Sequence, residues 1–176
     1  MTRYIYIAAS LDGFIADANG GLDWLINIPN PEQSDYGFAE FMEQVDAVVM
    51  GRNTFEQVMA FGEWPYTKTV FVLSRQLQTL PAHLAGKAEL LSGQPAEIVE
   101  RLGQRGYRDL YVDGGVTIQS FLKEDLIDQM ILTQVPILLG AGFPLFGQIG
   151  RQLKFEHLKS ETLPAGLVKN TYRRVR

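Results

Sequence analysis

Two short segments, about sixty residues apart, carry the residue types that hold phosphate: Met50-Gly51-Arg52-Asn53-Thr54-Phe55-Glu56 and Val112-Asp113-Gly114-Gly115-Val116-Thr117-Ile118. Each follows a β-like apolar run and opens a helix-like one. A helix start presents unpaired N–H groups and the positive end of a dipole, so two of them side by side would hold the diphosphate of a dinucleotide. Gly51 lets backbone come close to a ligand, Arg52 supplies a guanidinium, and Thr54 offers a hydroxyl at a helix start. Taken singly, each segment also suits an ordinary strand-to-helix turn. Together they point to a nucleotide-dependent enzyme. A G-x-G-x-x-G pattern with an acidic ribose hook is missing, which argues against the Rossmann way of binding a dinucleotide.

Between them, Val72-Leu73-Ser74-Arg75 ends a strand with a hydroxyl and a second arginine. If Arg52 and Arg75 rise from neighbouring strand ends, they can flank one phosphate monoester, and the 2′-phosphate of NADP is the natural candidate. NADPH is therefore expected over NADH. The plainer alternative for Arg75 is a loop cation in solvent.

Positioning these groups falls to alternating apolar runs and helix-like stretches. Strands are expected at Tyr4–Ala9, Ala47–Met50, Thr69–Leu73, Glu89–Leu91 and Leu110–Val112, with helices at Glu32–Gln44, Thr54–Phe61 and Ala96–Gln104. The third helix has Pro95 at its first turn and Gly106 past its end. After a short helix at Thr117–Leu122 the pattern turns to strands without long helices, at Gln129–Val135, Leu153–Ser160 and Leu167–Arg174. Parallel crossovers first and hairpins last predict an α/β fold with a mixed, mostly parallel central sheet flanked by helices and closed by antiparallel C-terminal strands. No repeat, low-complexity tract or linker divides residues 1–176, so one domain is expected.

Composition sets outer bounds. The chain has 176 residues, 46% of them hydrophobic and 20% charged, enough for one core. It has no cysteine, which excludes disulfides, thiolate metal sites and a cysteine nucleophile, and makes the cytoplasm the default location. No apolar run approaches membrane-spanning length. A net charge of −4 argues against general nucleic-acid binding, and Arg173-Arg174-Val175-Arg176 reads as a solvated strand end. His83 and His157 read as surface positions and form no ligand pair, so no metal is expected.

The chain resembles dihydrofolate-reductase-like proteins. The residues that carry the resemblance are Ser10-Leu11-Asp12-Gly13-Phe14-Ile15-Ala16, Asp23-Trp24-Leu25, the Met50–Glu56 segment, Leu73-Ser74-Arg75, Asp113-Gly114-Gly115 and the apolar stretch from Pro136 to Phe146, in that order. They look most like the branch related to the C-terminal reductase domain of the bifunctional riboflavin-biosynthesis deaminase/reductase. The resemblance implies that Ala9 and Ile15 border a nicotinamide. It also implies that Gly51, Arg52, Thr54, Leu73, Ser74 and Arg75 hold the adenosine side of NADPH, while Gly114, Gly115, Val116, Thr117 and Ile118 cover its diphosphate. For Ile15 and Val116, core packing is the competing reading.

Dihydrofolate reductases place a carboxylate on the first helix, facing the pterin, with a tryptophan shortly before it. Trp24 fits the tryptophan. Pro29-Asn30-Pro31 disturbs the spacing to the carboxylate, for which Asp35 stands first and Asp23 and Glu40 are rivals. Burial would raise the pKa of such a group for proton delivery; a solvated acid in a first helical turn is the plainer reading. The resemblance thus implies an NADPH-dependent reductase of a small heterocyclic or ribosyl-carbonyl substrate. The leading candidate is 5-amino-6-(5-phosphoribosylamino)uracil reductase-like activity in riboflavin biosynthesis, with a dihydrofolate or pterin reductase as the alternative. A non-catalytic NADPH-binding sensor is the reading from a different class. The apolar Pro136–Phe146 stretch predicts a homodimer.

Overall fold

Uninterrupted apolar runs lie in the middle of the sheet and alternating ones at its margin, because only central parallel strands are covered on both faces. In the computed structural model, which describes all 176 residues, the elements run in chain order as β1 (Arg3–Ser10), β2 (Phe14–Ala16), α1 (Asp23–Ile26), α2 (Phe38–Glu43), β3 (Ala47–Gly51), α3 (Arg52–Ala60), β4 (Thr69–Leu73), β5 (Ala88–Leu91), α4 (Pro95–Gln104), β6 (Leu110–Asp113), α5 (Gly115–Lys123), β7 (Gln129–Val135), β8 (Phe143–Pro144), β9 (Lys154–Thr162) and β10 (Val168–Val175). Eight strands form one sheet in the order β5-β4-β3-β6-β1-β7-β10-β9; β2 and β8 pair separately. From β5 to β7 every neighbour is parallel, and β10 and β9 close the sheet antiparallel. The expected mixed sheet in one domain is the observed one.

Ala47, Val48, Val49 and Met50 are wholly buried, as are Val70, Phe71 and Val72. One core lies between the sheet and α4 and α5, centred on Phe71, Ile98, Leu102, Ile118 and Phe121. The other lies on the opposite face under α2 and α3, around Phe41, Met50, Phe55 and Tyr111. Phe41 fixes α2 there, stacked on Tyr6 at 4.6 Å and edge-on to Tyr111 at 5.1 Å. Truncating such a ring to alanine costs about 3–5 kcal/mol.

The chain runs outward from β1 to β5 and then returns through β6 and β7, so right-handed crossovers put the helices of the two halves on opposite faces. The direction switches between β3 and β6, which are neighbours paired at Met50 and Asp113. The two glycine-containing segments therefore leave adjoining strand ends toward opposite faces. That divergence opens a crevice at the carboxyl ends of the strands.

Two expectations need correction. The helix expected over Glu32–Gln44 is only Phe38–Glu43, and a separate turn of helix, Asp23–Ile26, precedes it. Gln33, Tyr36 and Gly37 hold positive φ of 51°, 55° and 88°, which no α-helix accommodates. The basic C-terminal end is an exposed strand end at Arg173, Val175 and Arg176, as expected, but not at Arg174. Arg174 makes a two-pronged pair with Asp125 at 2.7 and 3.0 Å and is 9% exposed, while Arg176 and Arg3 both reach Asp128.

The loop after β1 is tied to the Pro136–Phe146 stretch at several points. Asp12 accepts hydrogen bonds from Ser10 Oγ at 2.6 Å and from the Leu139 and Gly140 N–H groups at 3.1 and 2.8 Å. Leu11 donates to the Ile137 carbonyl, and Leu145 to that of Gly13. At Gly142 a side-chain carbon would fall 2.1 Å from the Ala16 carbonyl oxygen. Much of the apolar stretch thus serves the molecule's own β1 loop, with Leu145 buried, although Leu138, Phe143 and Phe146 face outward. No helix is long and apolar enough to cross a membrane.

Candidate functional site

The two flagged helix starts meet. A side-chain carbon on Gly114 would lie 2.2 Å from Thr54 Oγ1, and one on Gly51 would lie 2.9 Å from Thr117 Oγ1. Gly114 also has φ +88°, a conformation that penalises any other residue. Neither α3 nor α5 has a side-chain cap at its N-terminus. Two uncapped nine-residue helices, packed start to start over the crevice, leave orphan N–H groups and two positive dipole ends in one place. That arrangement fits a diphosphate. Val116, in the first turn of α5, is 79% exposed, so core packing is not its role.

The adenosine-side residues follow from the pairing of β3 with β4, which sets Gly51 beside Leu73. Arg52 and Arg75 do rise from neighbouring strand ends. Arg52 is bonded to Gln76 and pairs with Glu56 at 3.7 Å; Arg75 is exposed and outside every ion pair. Ser74 Oγ accepts the Gln76 and Leu77 N–H groups at 3.1 and 3.0 Å and so shapes the turn that carries Arg75.

Other expected contacts are placed differently. Ile118 is wholly buried and its N–H is spent on the Gly114 carbonyl, so it serves the core rather than a ligand. Thr117 is 5% exposed and spaces the two helix starts. Ala9 and Ile15 lie against the core beneath α5, with Ile15 Cδ1 just 2.8 Å from where a Gly115 side chain would begin. Ile15 thereby packs and borders the crevice at once.

A second hollow, about 260 Å³, lies at the end of β7, walled by Trp24, Ile28, Pro29, Val135, Ile137 and Leu167. Val135 pairs with Ser10, so this cleft adjoins the β1 loop. No Lys, Arg, Asp or Glu lines it. Trp24 is at its wall.

Asp35 is not the buried acid anticipated. It is exposed, and its oxygens accept the Ala39 and Gly37 N–H groups at 2.8 and 2.9 Å, starting α2. Those bonds hold its carboxyl below the ordinary range, the reverse of what proton delivery needs. Asp23 and Glu40 are exposed too.

The carboxyl whose pKa is raised is Asp113. It ends β6 at the crevice, with its Oδ1 accepting the Gly114 N–H at 2.8 Å and the Tyr66 hydroxyl 3.5 Å from Oδ2. Burial pushes it up to about 6, with the Gly114 N–H and the Tyr111 and Tyr66 hydroxyls offsetting only part of that. The sequence offered one signal: an acid closing an apolar strand must find partners or a proton. Nearby, Lys169 and the Tyr6 hydroxyl both donate to the Tyr36 carbonyl, at 3.0 and 2.8 Å. His83 and His157 are exposed, and no three metal-ligating side chains gather.

Comparison with known proteins agrees with this fold. The RibD C-terminal domain family matches residues 4–169. The uncharacterized protein YwjB of Bacillus subtilis (strain 168) is 33% identical over 153 residues, 85% of each chain. A Shewanella sp. PV-4 protein assigned by name to riboflavin biosynthesis is 50% identical over the whole of both chains, with a TM-score of 0.96. Dihydrofolate reductase of Enterococcus faecalis, solved with NADP(H), is 18% identical at a TM-score of 0.69, covering 99% of this chain and 97% of that one, and shares the fold.

Proposed function

The chain belongs to the RibD C-terminal domain family, and from that premise we propose an NADPH-dependent reductase that passes hydride to a carbonyl or imine carbon of a small planar acceptor. The observation that carries the proposal is the junction of two uncapped helix starts through Gly114 and Thr54, beside the strand ends bearing Arg52 and Arg75. The first turns of α3 and α5 would bind the diphosphate, the two arginines the 2′-phosphate, and the β1 loop with Ala9 and Ile15 the nicotinamide edge. When bound, NADPH supplies the hydride.

The matching proton would come from Asp113. A carboxyl raised to about 6 is a fair donor near neutral pH, and it stands at the mouth of the crevice. Its proton goes to the acceptor oxygen or nitrogen as carbon takes the hydride, leaving an alcohol or amine and the Asp113 carboxylate, which water reprotonates. Asp35 orders the turn into α2, whose Tyr36 carbonyl is gripped by Tyr6 and Lys169. Kinship favours a ribosylamino-pyrimidine as acceptor. The Trp24 cleft favours a pterin-like ring as the second reading. The enzyme is taken as a cytoplasmic homodimer.

The test is NADPH oxidation followed with pyrimidine, pterin and quinonoid acceptors, alongside calorimetry. Tight NADPH binding with acceptor-dependent oxidation supports a reductase. Binding without turnover on any acceptor returns the protein to a sensor, and no binding makes the glycine turns purely structural.

A further inference from the structure

We propose that Tyr66 is the positioning residue for the Asp113 proton: its hydroxyl holds the carboxylate that proton transfer leaves behind, and its ring mounts that hydroxyl on the first turn of α3. The proposal rests on the reductase reading and deepens it.

Proton donation leaves a carboxylate at the end of β6, half-buried and with few donors in reach. Oδ1 has the Gly114 N–H at 2.8 Å, and Oδ2 faces the Tyr66 hydroxyl at 3.5 Å. Tyr111, two residues back on the same strand face, carries the other nearby hydroxyl, but its single proton is spent on the Tyr6 carbonyl at 2.9 Å. The Tyr6 hydroxyl in turn donates to the Tyr36 carbonyl. Met50, the partner of Asp113 on β3, is apolar. No lysine, arginine or histidine acts on Asp113, so Tyr66 is the side chain with a proton to offer the new charge. A separation of 3.5 Å is long for a neutral carboxyl, whereas a hydroxyl donating to a carboxylate closes to about 2.5–2.7 Å. The bond therefore strengthens as Asp113 gives up its proton, which favours the transition state over the ground state.

Tyr66 lies in the connection between α3 and β4, where aromatic packing sets its place. Trp64 sits edge-on to it at 5.4 Å, and Phe55, 5% exposed, meets Trp64 edge-on at 6.1 Å. Phe55 follows Thr54, the residue that abuts Gly114 beside Asp113. A closed ring results, from Asp113 through Gly114, Thr54, Phe55, Trp64 and Tyr66 back to Asp113. The helix start assigned to the diphosphate and the hydroxyl assigned to the carboxylate are thereby parts of one packed unit.

The experiment is an NMR titration of the intact protein, isotope-labelled at its aspartate carboxyl carbons, with Asp113→Asn identifying the resonance. Tyr66→Phe keeps the ring and removes only the hydroxyl. It should raise the Asp113 carboxyl from about 6 to about 7, since a donor to the charged form is lost. In turnover, kcat should fall roughly three- to tenfold at low pH, and the pH above which activity declines should move up with the carboxyl. Trp64→Leu, which loosens the mounting and leaves the hydroxyl, should raise the carboxyl in smaller measure. An Asp113 carboxyl unmoved by Tyr66→Phe overturns the inference and leaves the reductase reading standing, and so does a kcat loss equal at every pH. A carboxyl moved by Tyr66→Phe and not by Trp64→Leu overturns the mounting on α3. A moved carboxyl in a protein that oxidises NADPH with no acceptor removes the reductase reading and, with it, the part of Tyr66 in catalysis.

Discussion

Gly114 and Thr54 come so close that no side-chain carbon fits between them, the nearest approach being 2.2 Å to the threonine hydroxyl. This contact joins β6–α5 to β3–α3 across the sheet's switch of direction. The juxtaposition of the two helix starts thus depends on a glycine backbone meeting a threonine side chain, a contact that Gly51 and Thr117 repeat in the other direction.

Gly114→Ala should therefore lower NADPH affinity at least tenfold and also lower the melting temperature, because it combines a positive φ with a steric overlap. Adding Thr54→Ala removes the hydroxyl and should restore part of the lost stability. Calorimetry and thermal melts measure both, and an unaffected Gly114→Ala would mean that the junction tolerates separation. Gly115→Val is a poorer probe, since its first contact is the Ile15 side chain.

Arg52→Ala or Arg75→Ala should weaken NADPH about ten- to a hundredfold, the worth of one or two charge-assisted hydrogen bonds, and leave NADH nearly unchanged. Equal affinity of the unmodified protein for the two cofactors would dismiss the 2′-phosphate assignment.

Asp113 links activity and stability to pH in the same direction. Its folded-state pKa of about 6 lies above the ordinary 3.8, so between those values the folded protein keeps a proton that the unfolded chain has lost. Stability from this group is full below about 4 and is lost as pH rises through about 6. Turnover should also fall above about 6, where the donor is spent. Asp113→Asn should flatten the stability slope and lower kcat roughly a hundredfold without altering NADPH affinity. Asp35→Asn should instead act through the start of α2. A profile unchanged by Asp113→Asn but abolished by Asp35→Asn would reverse the two assignments.

Leu138, Phe143 and Phe146 remain exposed at 69%, 52% and 47%, and Phe146 also rims an apolar hollow with Leu122, Met130 and Phe155. A homodimer is expected in sedimentation at micromolar concentration, with Phe146→Asp shifting it toward monomer. A monomeric unmodified protein would assign these residues to the β1 loop alone.

Arg174→Met should cost about 2–4 kcal/mol in denaturant unfolding, because it leaves Asp125 without its two-pronged partner at a site 9% exposed on the arginine side. A loss below about 0.5 kcal/mol would mark the pair as a surface contact.

The central strands were legible because Ala47–Met50 and Val70–Val72 are apolar at every position, a pattern that only a doubly covered parallel strand sustains. The helix starts were legible for a related reason: glycines following such strands have few other uses. The first helical region was not. Gln33 and Tyr36 adopt positive φ without being glycine, and the Tyr36 carbonyl is held by Lys169 and Tyr6, which lie far away in sequence. Asp113 was read only for the glycines beside it, since its surroundings include Tyr66 from another part of the chain as well as Tyr111 on its own strand. β2 and β8 are three and two residues long and pair only because the β1 loop meets the Pro136–Phe146 stretch.

The place of β1 in the sheet bears on how the protein is made. Its partners are β6, beginning at Leu110, and β7, beginning at Gln129. During synthesis the first strand leaves the ribosome long before either neighbour exists, so Ile5 and Ile7 wait unpaired while most of the chain is translated. Slowed elongation or a truncated message would leave that apolar edge open to association with other nascent chains, and this protein should depend on chaperones more than its modest size suggests.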